Sequence, residues 1–185
     1  RIDGGIVDQD VDAPADPAVP AKLWARALDL LGGRIDVLIN NAAVYAPLPI
    51  DDEEDRWQAG WRRAMAVNLD APAALARLAV NQWLGMRIPG RLVNVASRAG
   101  HRGDTAEHWY YGTAKGGLLA LTKTVARAYA DRGILAFAAS PGLTLTDMAT
   151  PDLADGGAAA IAQIPLGRLS TPAEVAEVIR WLALD

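Results

Sequence analysis

The sequence predicts an α/β fold built on an open parallel sheet, and three observations carry that prediction. Three short apolar runs recur: Asp36-Val37-Leu38-Ile39, Arg91-Leu92-Val93-Asn94-Val95-Ala96, and residues 134–139. Strands covered on both faces read as near-continuous apolar runs rather than alternations. Each run ends in small or polar residues, namely Asn40-Asn41-Ala42-Ala43, Ser97, and Ser140-Pro141-Gly142-Leu143-Thr144. Long stretches of helical spacing separate the runs, as parallel strands joined by crossovers require.

Taken in order, residues 17–31 read as an amphipathic helix with Leu23, Ala27, Leu30 and Leu31 on one face, stopped by Gly32-Gly33. It is a crossover between parallel strands, right-handed by the usual rule. The strand at 36–39 runs into the turn at 40–43, and 45–52 is a proline-bearing loop. Acidic residues within 51–55 suit a helix N-terminus, where the macrodipole favours negative charge. Residues 60–86 are rich in alanine and leucine and read as one helix despite Pro72, with a kink or register slip near Asn68. The strand at 91–96 delivers Ser97 to its C-terminal end, where open α/β sheets bind ligands. Residues 98–109 form a polar loop over that end. Residues 110–131 form a helix with Leu118, Leu121, Val125 and Tyr129 as its buried stripe. The alanine-rich stretch 143–165, with Gly156-Gly157, reads as a mobile lid. Thr171-Pro172-Ala173-Glu174 is a capping box that opens a final helix.

The 185 residues carry a net charge of -4 and are 51% hydrophobic, which suits one globular domain over 1–185. The expectation is a cytoplasmic protein. The charge is not basic enough for nucleic-acid binding as the main task. Absence of cysteine excludes disulfides and thiolate zinc sites. No apolar stretch approaches the ~20 residues of a membrane span.

Tyr111 and Lys115 stand four residues apart, so they share one helix face. An ammonium beside a phenol favours the phenolate. An ordinary tyrosine titrates near pH 10, so work at neutrality needs a shift of about 3 pK units, or about 4 kcal/mol.

The ordered set Asn40-Asn41-Ala42-Ala43, Asn68, Ser97, Tyr111-Gly112-Thr113-Ala114-Lys115 and Pro141-Gly142-Leu143-Thr144 resembles the short-chain dehydrogenase/reductase family, classical type. The resemblance runs over nearly the whole chain. It implies a Rossmann-like doubly wound parallel sheet and an NAD(P)-dependent oxidoreductase that interconverts a secondary alcohol and a ketone. Tyr111 would be the general acid/base, and Lys115 would lower its pKa and bind the nicotinamide ribose. Ser97 would hold the reacting oxygen, and Asn68 would support a water chain to Lys115. Asp10 and Val11 match the family's adenine contact. Asn40, Ala42 and Ala43 match the turn beside the adenosine ribose. Pro141, Gly142, Leu143 and Thr144 match the segment that packs on nicotinamide, and Tyr111 and Lys115 complete the cofactor contacts. NAD and NADP both stay open, because the discriminating residue comes after the family's second strand. The family pairs subunits through the helices at 60–86 and 110–131, which implies a homodimer or homotetramer.

By the same resemblance, Gly4-Gly5-Ile6-Val7-Asp8-Gln9-Asp10-Val11 corresponds to a third strand and the Asp-Val pair at its end. Trp181-Leu182-Ala183-Leu184-Asp185 corresponds to the last helix before a final strand. The expectation is a fragment lacking the glycine-rich phosphate loop, the first two strands and the last. In a sheet of order 3-2-1-4-5-6, the strand at 36–39 then becomes a bare apolar edge and the strand near Val7 has no neighbour. Such a fragment is expected to be poorly stable and to lack the amides that cradle a pyrophosphate.

The chain departs from the family at three places. Ala43 stands where glycine commonly closes the turn, Phe137 stands where asparagine is frequent, and Ser97 and Tyr111 lie one residue further apart than usual, so their loop bulges. Tyr110 is no substitute for Tyr111, because only Tyr111 has lysine four residues on. The substrate is expected to be a small alcohol or carbonyl compound, with Arg98, His108, Trp109, Tyr110 and the lid shaping its pocket. An aromatic or alicyclic compound is suggested by Trp109 and Tyr110.

Rival readings are weaker. His101, Asp104, Glu107 and His108 could hold zinc, but a glycine-bearing polar surface loop explains them better. Ser97, His101 and Asp104 lack a Gly-x-Ser-x-Gly elbow and lie too close in sequence for a hydrolase triad. A non-catalytic dinucleotide-binding or oligomeric scaffold on the same fold is the alternative of a different class. A pure binder does not need Tyr111 beside Lys115. Dehydration or epimerisation on the same fold is a further rival.

Overall fold

A computed structural model describes residue 16, residues 18–146, residue 148 and residues 157–185. The strand near Val7, the adenine contact at Asp10 and Val11, and lid residues 147 and 149–156 lie outside the described residues.

All three apolar runs form strands: β1 (Val37–Asn40), β2 (Gly90–Val95) and β3 (Ile134–Ala139). They pair in parallel in the order β1-β2-β3, with Val37 opposite Arg91, Asn40 opposite Asn94, and Val95 opposite Ala139. Parallel pairing brings all three C-terminal ends to one edge of the sheet. Among the described residues β1 pairs only with β2, so it is an edge whose Val37, Leu38 and Ile39 are half-buried.

The described α-helices are α1 (Val19–Leu30), α2 (Glu54–Met65), α3 (Ala71–Met86), α4 (Ala99–Arg102), α5 (Trp109–Tyr129), α6 (Gly157–Ala162) and α7 (Pro172–Leu184). The core joins Trp24 of α1, Val80 and Trp83 of α3, Leu92, Val125 of α5 and Ile134. Trp83 is fully buried and its indole N–H donates to the Ile35 carbonyl at 2.7 Å, just ahead of β1. A Cβ at Gly90 would fall inside the same indole, so only glycine lets β2 start there. Arg91 points to the other sheet face, where its guanidinium donates to the Leu182 carbonyl of α7 at 3.1 Å. The capping box at Thr171 and Glu174 opens α7, and Arg168 adds a bidentate pair to Glu174 at 2.7 and 3.0 Å.

Four expectations need correction. The apolar face of α1 is Pro20 and Trp24 with Ala27 and Leu28 behind, while Leu30 and Leu31 are exposed, because it is Trp24, Ala27 and Leu28 that pack on the core. The stretch 60–86 is not one kinked helix. It begins earlier, at Glu54, and a π-helical turn at Ala66–Asp70 separates α2 from α3. The amide of Ala71 donates to Ala66, five residues back, and Pro72 falls in the first turn of α3, where its missing N–H costs little. The loop at 98–109 contains the single helical turn α4. The helix expected over 110–131 is α-helical over Trp109–Tyr129 and closes as a 3₁₀ turn at Ala130–Arg132.

A buried polar chain ties these layers together. Asn40 donates to Asn94 at 2.8 Å, Asn94 donates to Thr122 of α5 at 2.8 Å, and Thr122 donates to the Leu118 carbonyl at 2.7 Å. Polar groups so placed are stabilising only while every partner is present. Asn94→Ala is therefore expected to lower stability by about 1–3 kcal/mol in urea unfolding. An unchanged midpoint would mean that Asn40 and Thr122 find other partners.

Candidate active site

The C-terminal edge of β2 presents Val95, Ala96 and Ser97 in succession. The Ser97 hydroxyl accepts from the Ala99 amide at 3.1 Å, which starts α4. Helix α4 then lies backbone to backbone on α5. A Cβ added to Gly100 would sit 2.7 Å from the carbonyl carbon of Lys115 and 2.8 Å from its oxygen. Gly112 and Gly116 supply the facing small surface on α5. This close approach brings the Ser97 hydroxyl near the Tyr111 phenol, near enough to favour its ionised form.

Lys115 is buried, with its ammonium donating to the Val95 carbonyl at 2.7 Å. Burial pulls its pKa down to about 8. The same nitrogen lies 5.6 Å from the centroid of the Tyr111 ring. The expected lowering of the Tyr111 phenol is not what this geometry gives. Burial is the largest influence and raises its pKa, the Ser97 hydroxyl opposes that, and the nearby Asp104 charge adds to it. The ammonium is aimed at a main-chain carbonyl rather than at the phenol.

Asn68 is fully buried in the π-helical turn. Its side-chain oxygen accepts from the Val44 amide and its nitrogen donates to the Val44 carbonyl, both at 3.0 Å. Asn40 is also buried and its amide donates to Asn94 at 2.8 Å and to the Pro72 carbonyl at 3.4 Å, so the side chain faces inward rather than toward the edge. Asn41 and Ala42 are both exposed beside the half-buried Ala43 at the end of β1. At the end of β3, Pro141 is half-buried, Gly142 is exposed, and Leu143 and Thr144 lead to a bridge between Thr144 and Ser170. The Arg98 amide donates to the Pro141 carbonyl at 3.4 Å, joining the β2 and β3 ends.

The four residues expected to shape a substrate pocket divide. Trp109 is exposed and Arg98 half-buried, whereas Tyr110 and His108 are buried. The Tyr110 hydroxyl accepts from the Ala46 amide at 2.6 Å and donates to its carbonyl at 2.9 Å, and burial raises its pKa to about 12. Tyr110 is therefore a pin for the loop after β1. His108 meets Thr105 through Nδ1 at 2.7 Å and stacks on Tyr45. Sequence reading missed Tyr45, Asn94, Thr122 and the glycine contact at Gly100. The small residues Gly100, Gly112 and Gly116 were the available signal for the last.

The polar loop sets these side chains as follows. No cluster of potential metal ligands occurs among the described residues. His101 meets the Ser140 hydroxyl at 3.2 Å, and Asp104 meets Tyr45 and the Thr105 amide, so neither completes a triad with Ser97.

Residues 4–185 match the family described as Enoyl-(Acyl carrier protein) reductase. The chain belongs to the short-chain dehydrogenase/reductase family. Its sheet is the corresponding part of a Rossmann-like fold. Among curated relatives, 3beta-hydroxysteroid dehydrogenase 1 of Eggerthella lenta is 35% identical over 88% of this chain and 61% of its own length. The 3-oxoacyl-[acyl-carrier-protein] reductase of Synechocystis is 39% identical over 82% of this chain and 58% of its own. Among solved structures, a putative NAD(P) dependent gluconate 5-dehydrogenase from Beutenbergia cavernae, with NADP bound at low occupancy, superposes with a TM-score of 0.81. It is 31% identical and covers 92% of this chain and 66% of that chain. The chain thus spans about three fifths of the length of these curated relatives.

The backbone contact between α4 and α5 is open to test. Gly100→Ala is expected to force the two helices apart and cost about 1–3 kcal/mol, read by thermal unfolding. A melting curve that overlays the unsubstituted protein would contradict the packing described.

Proposed function

We propose that the intact protein interconverts a secondary alcohol and a ketone with NAD or NADP as hydride carrier. The observation that carries this reading is the placement of Ser97, Tyr111 and the Lys115 ammonium together at the C-terminal edge of β2, with that ammonium 5.6 Å from the Tyr111 ring. The edge fits a dinucleotide. Asn41, Ala42 and Gly142 leave accessible main chain with little side-chain bulk on either side of Ser97. The names of the relatives, a hydroxysteroid dehydrogenase and an oxoacyl reductase, agree with hydroxyl and carbonyl chemistry.

The bound dinucleotide supplies or accepts the hydride. The chain's own groups handle the proton. In reduction, the Tyr111 O–H gives its proton to the carbonyl oxygen as the C=O electron pair moves onto that oxygen, and Ser97 donates a hydrogen bond to the same atom. In oxidation, the Tyr111 phenolate takes the hydroxyl proton. Asn68 serves a proton path toward Lys115 through its main-chain carbonyl, since its side chain is committed to Val44. Proton transfer of this kind contributes roughly 10²–10⁴-fold, and fixed geometry supplies much of the rest. The same reading places the protein in the cytoplasm as a homodimer or homotetramer paired through α3 and α5. No helix among the described residues is long and apolar enough to cross a membrane.

Because burial holds Tyr111 above the ordinary phenol value, the phenol stays protonated through neutrality. Ketone reduction is expected to be flat with pH near 7, and alcohol oxidation to rise with pH as the phenolate forms. Tyr111→Phe in the intact protein is expected to lose about 10²–10⁴-fold in kcat against a carbonyl panel, with dinucleotide binding retained by calorimetry. Undiminished turnover in that variant would remove Tyr111 from the mechanism.

A further inference from the structure

We propose that Tyr45 is a positioning residue for Tyr111, its ring clamped from both sides so that it fixes the neighbouring phenol in place. The inference rests on the acid/base role proposed for Tyr111. The two rings meet edge to face, with centroids 4.8 Å apart and planes at 75°. The Tyr45 ring also stacks on the buried His108 imidazole at 3.9 Å and 5°. An aromatic pair of this kind is worth about 0.5–1.5 kcal/mol beyond its area.

The main chain on each side of Tyr45 is held by a buried side chain that satisfies both its donor and its acceptor. Asn68 grips the N–H and C=O of Val44, and the Tyr110 hydroxyl grips the N–H and C=O of Ala46. Asn68 comes from the π-helical turn, and Tyr110 is the residue before Tyr111. One strap therefore ties the loop after β1 to both elements that carry the proposed proton chemistry. Further along, the Leu48 amide donates to the Glu107 carbonyl at 2.8 Å and closes the loop onto the segment before α5. A loop with only packing to hold it would not need both groups of two alternate residues engaged by buried side chains.

Tyr111 is faced by Ser97 from the end of β2, Asp104 from the α4–α5 connection, Lys115 and Tyr110 from its own helix, and Tyr45. Of these, Tyr45 brings an uncharged ring, so its removal acts by admitting water. The test uses the intact protein with its tyrosines carbon-13 labelled at Cζ, and Tyr111 is identified by the resonance lost in Tyr111→Phe. In Tyr45→Ala, Tyr111 is expected to titrate at lower pH, toward the ordinary value of about 10, and kcat to fall about 10–100-fold, as a misplacement of about 1 Å does. Tyr45→Phe is expected to keep the Tyr111 titration. That change keeps the ring and removes the 3.4 Å contact to Asp104, which stays tied to the Thr105 amide at 2.9 Å. If Tyr45→Ala does not fold, Tyr110→Phe loosens the strap at Ala46 and is read by the same shift. A Tyr111 titration unchanged in the folded variant overturns the clamp. The titration needs no turnover, so a protein inert on every carbonyl but showing the shift overturns the reaction and keeps the clamp.

Discussion

Lys115 gives its ammonium to the Val95 carbonyl at 2.7 Å in a place closed to water, and the rest of the site takes its position from that bond. Holding a charge there is costly. The fall from 10.5 to about 8 corresponds to about 3 kcal/mol of destabilised ammonium. A core evolved for stability alone would place an apolar side chain at 115. The bond binds α5 to the last carbonyl of the central strand, and Tyr111, four residues earlier on the same face, is thereby held above the sheet edge.

Small residues make this anchorage possible. Gly100 lets α4 touch the backbone of α5 at Lys115 itself, which turns Ser97 toward Tyr111. On the other side, the π-helical turn carries Asn68 inward to Val44. The buried Asn40–Asn94–Thr122 chain fixes α5 against β1 and β2 from below. The site is thus built from main-chain contacts and buried hydrogen bonds more than from apolar packing, and each such contact is intolerant of small changes.

The strands and the Tyr111–Lys115–Ser97 set were legible because each is a local pattern: a short apolar run, an i to i+4 pair, a serine at a strand's end. The α7 capping box was legible for the same reason. The features that escaped depend on contacts far apart in sequence. Nothing near Tyr45 says that Asn68 and Tyr110 will grip the residues beside it. Asn94 looked like one polar residue in a buried strand until Asn40 and Thr122 met it. Leu30 and Leu31 suited an apolar stripe by spacing, yet tertiary packing chose Trp24. Pro72 signalled a disturbance in a long helix, but a kink and a π-helical turn leave the same mark in sequence. The direction of the Tyr111 shift was misjudged because spacing gives proximity of charge and says nothing of burial or of where an ammonium points.

The most direct test is an NMR titration of the Lys115 side chain, its resonance identified by loss in Lys115→Met. The account expects half-protonation near pH 8. Because the unfolded chain keeps that proton to about pH 10.4, stability is expected to rise between about pH 8 and pH 10. Titration near 10.4, with no such rise, would show a solvated ammonium free of Val95 and would remove the anchor on which the arrangement of Ser97 and Tyr111 depends.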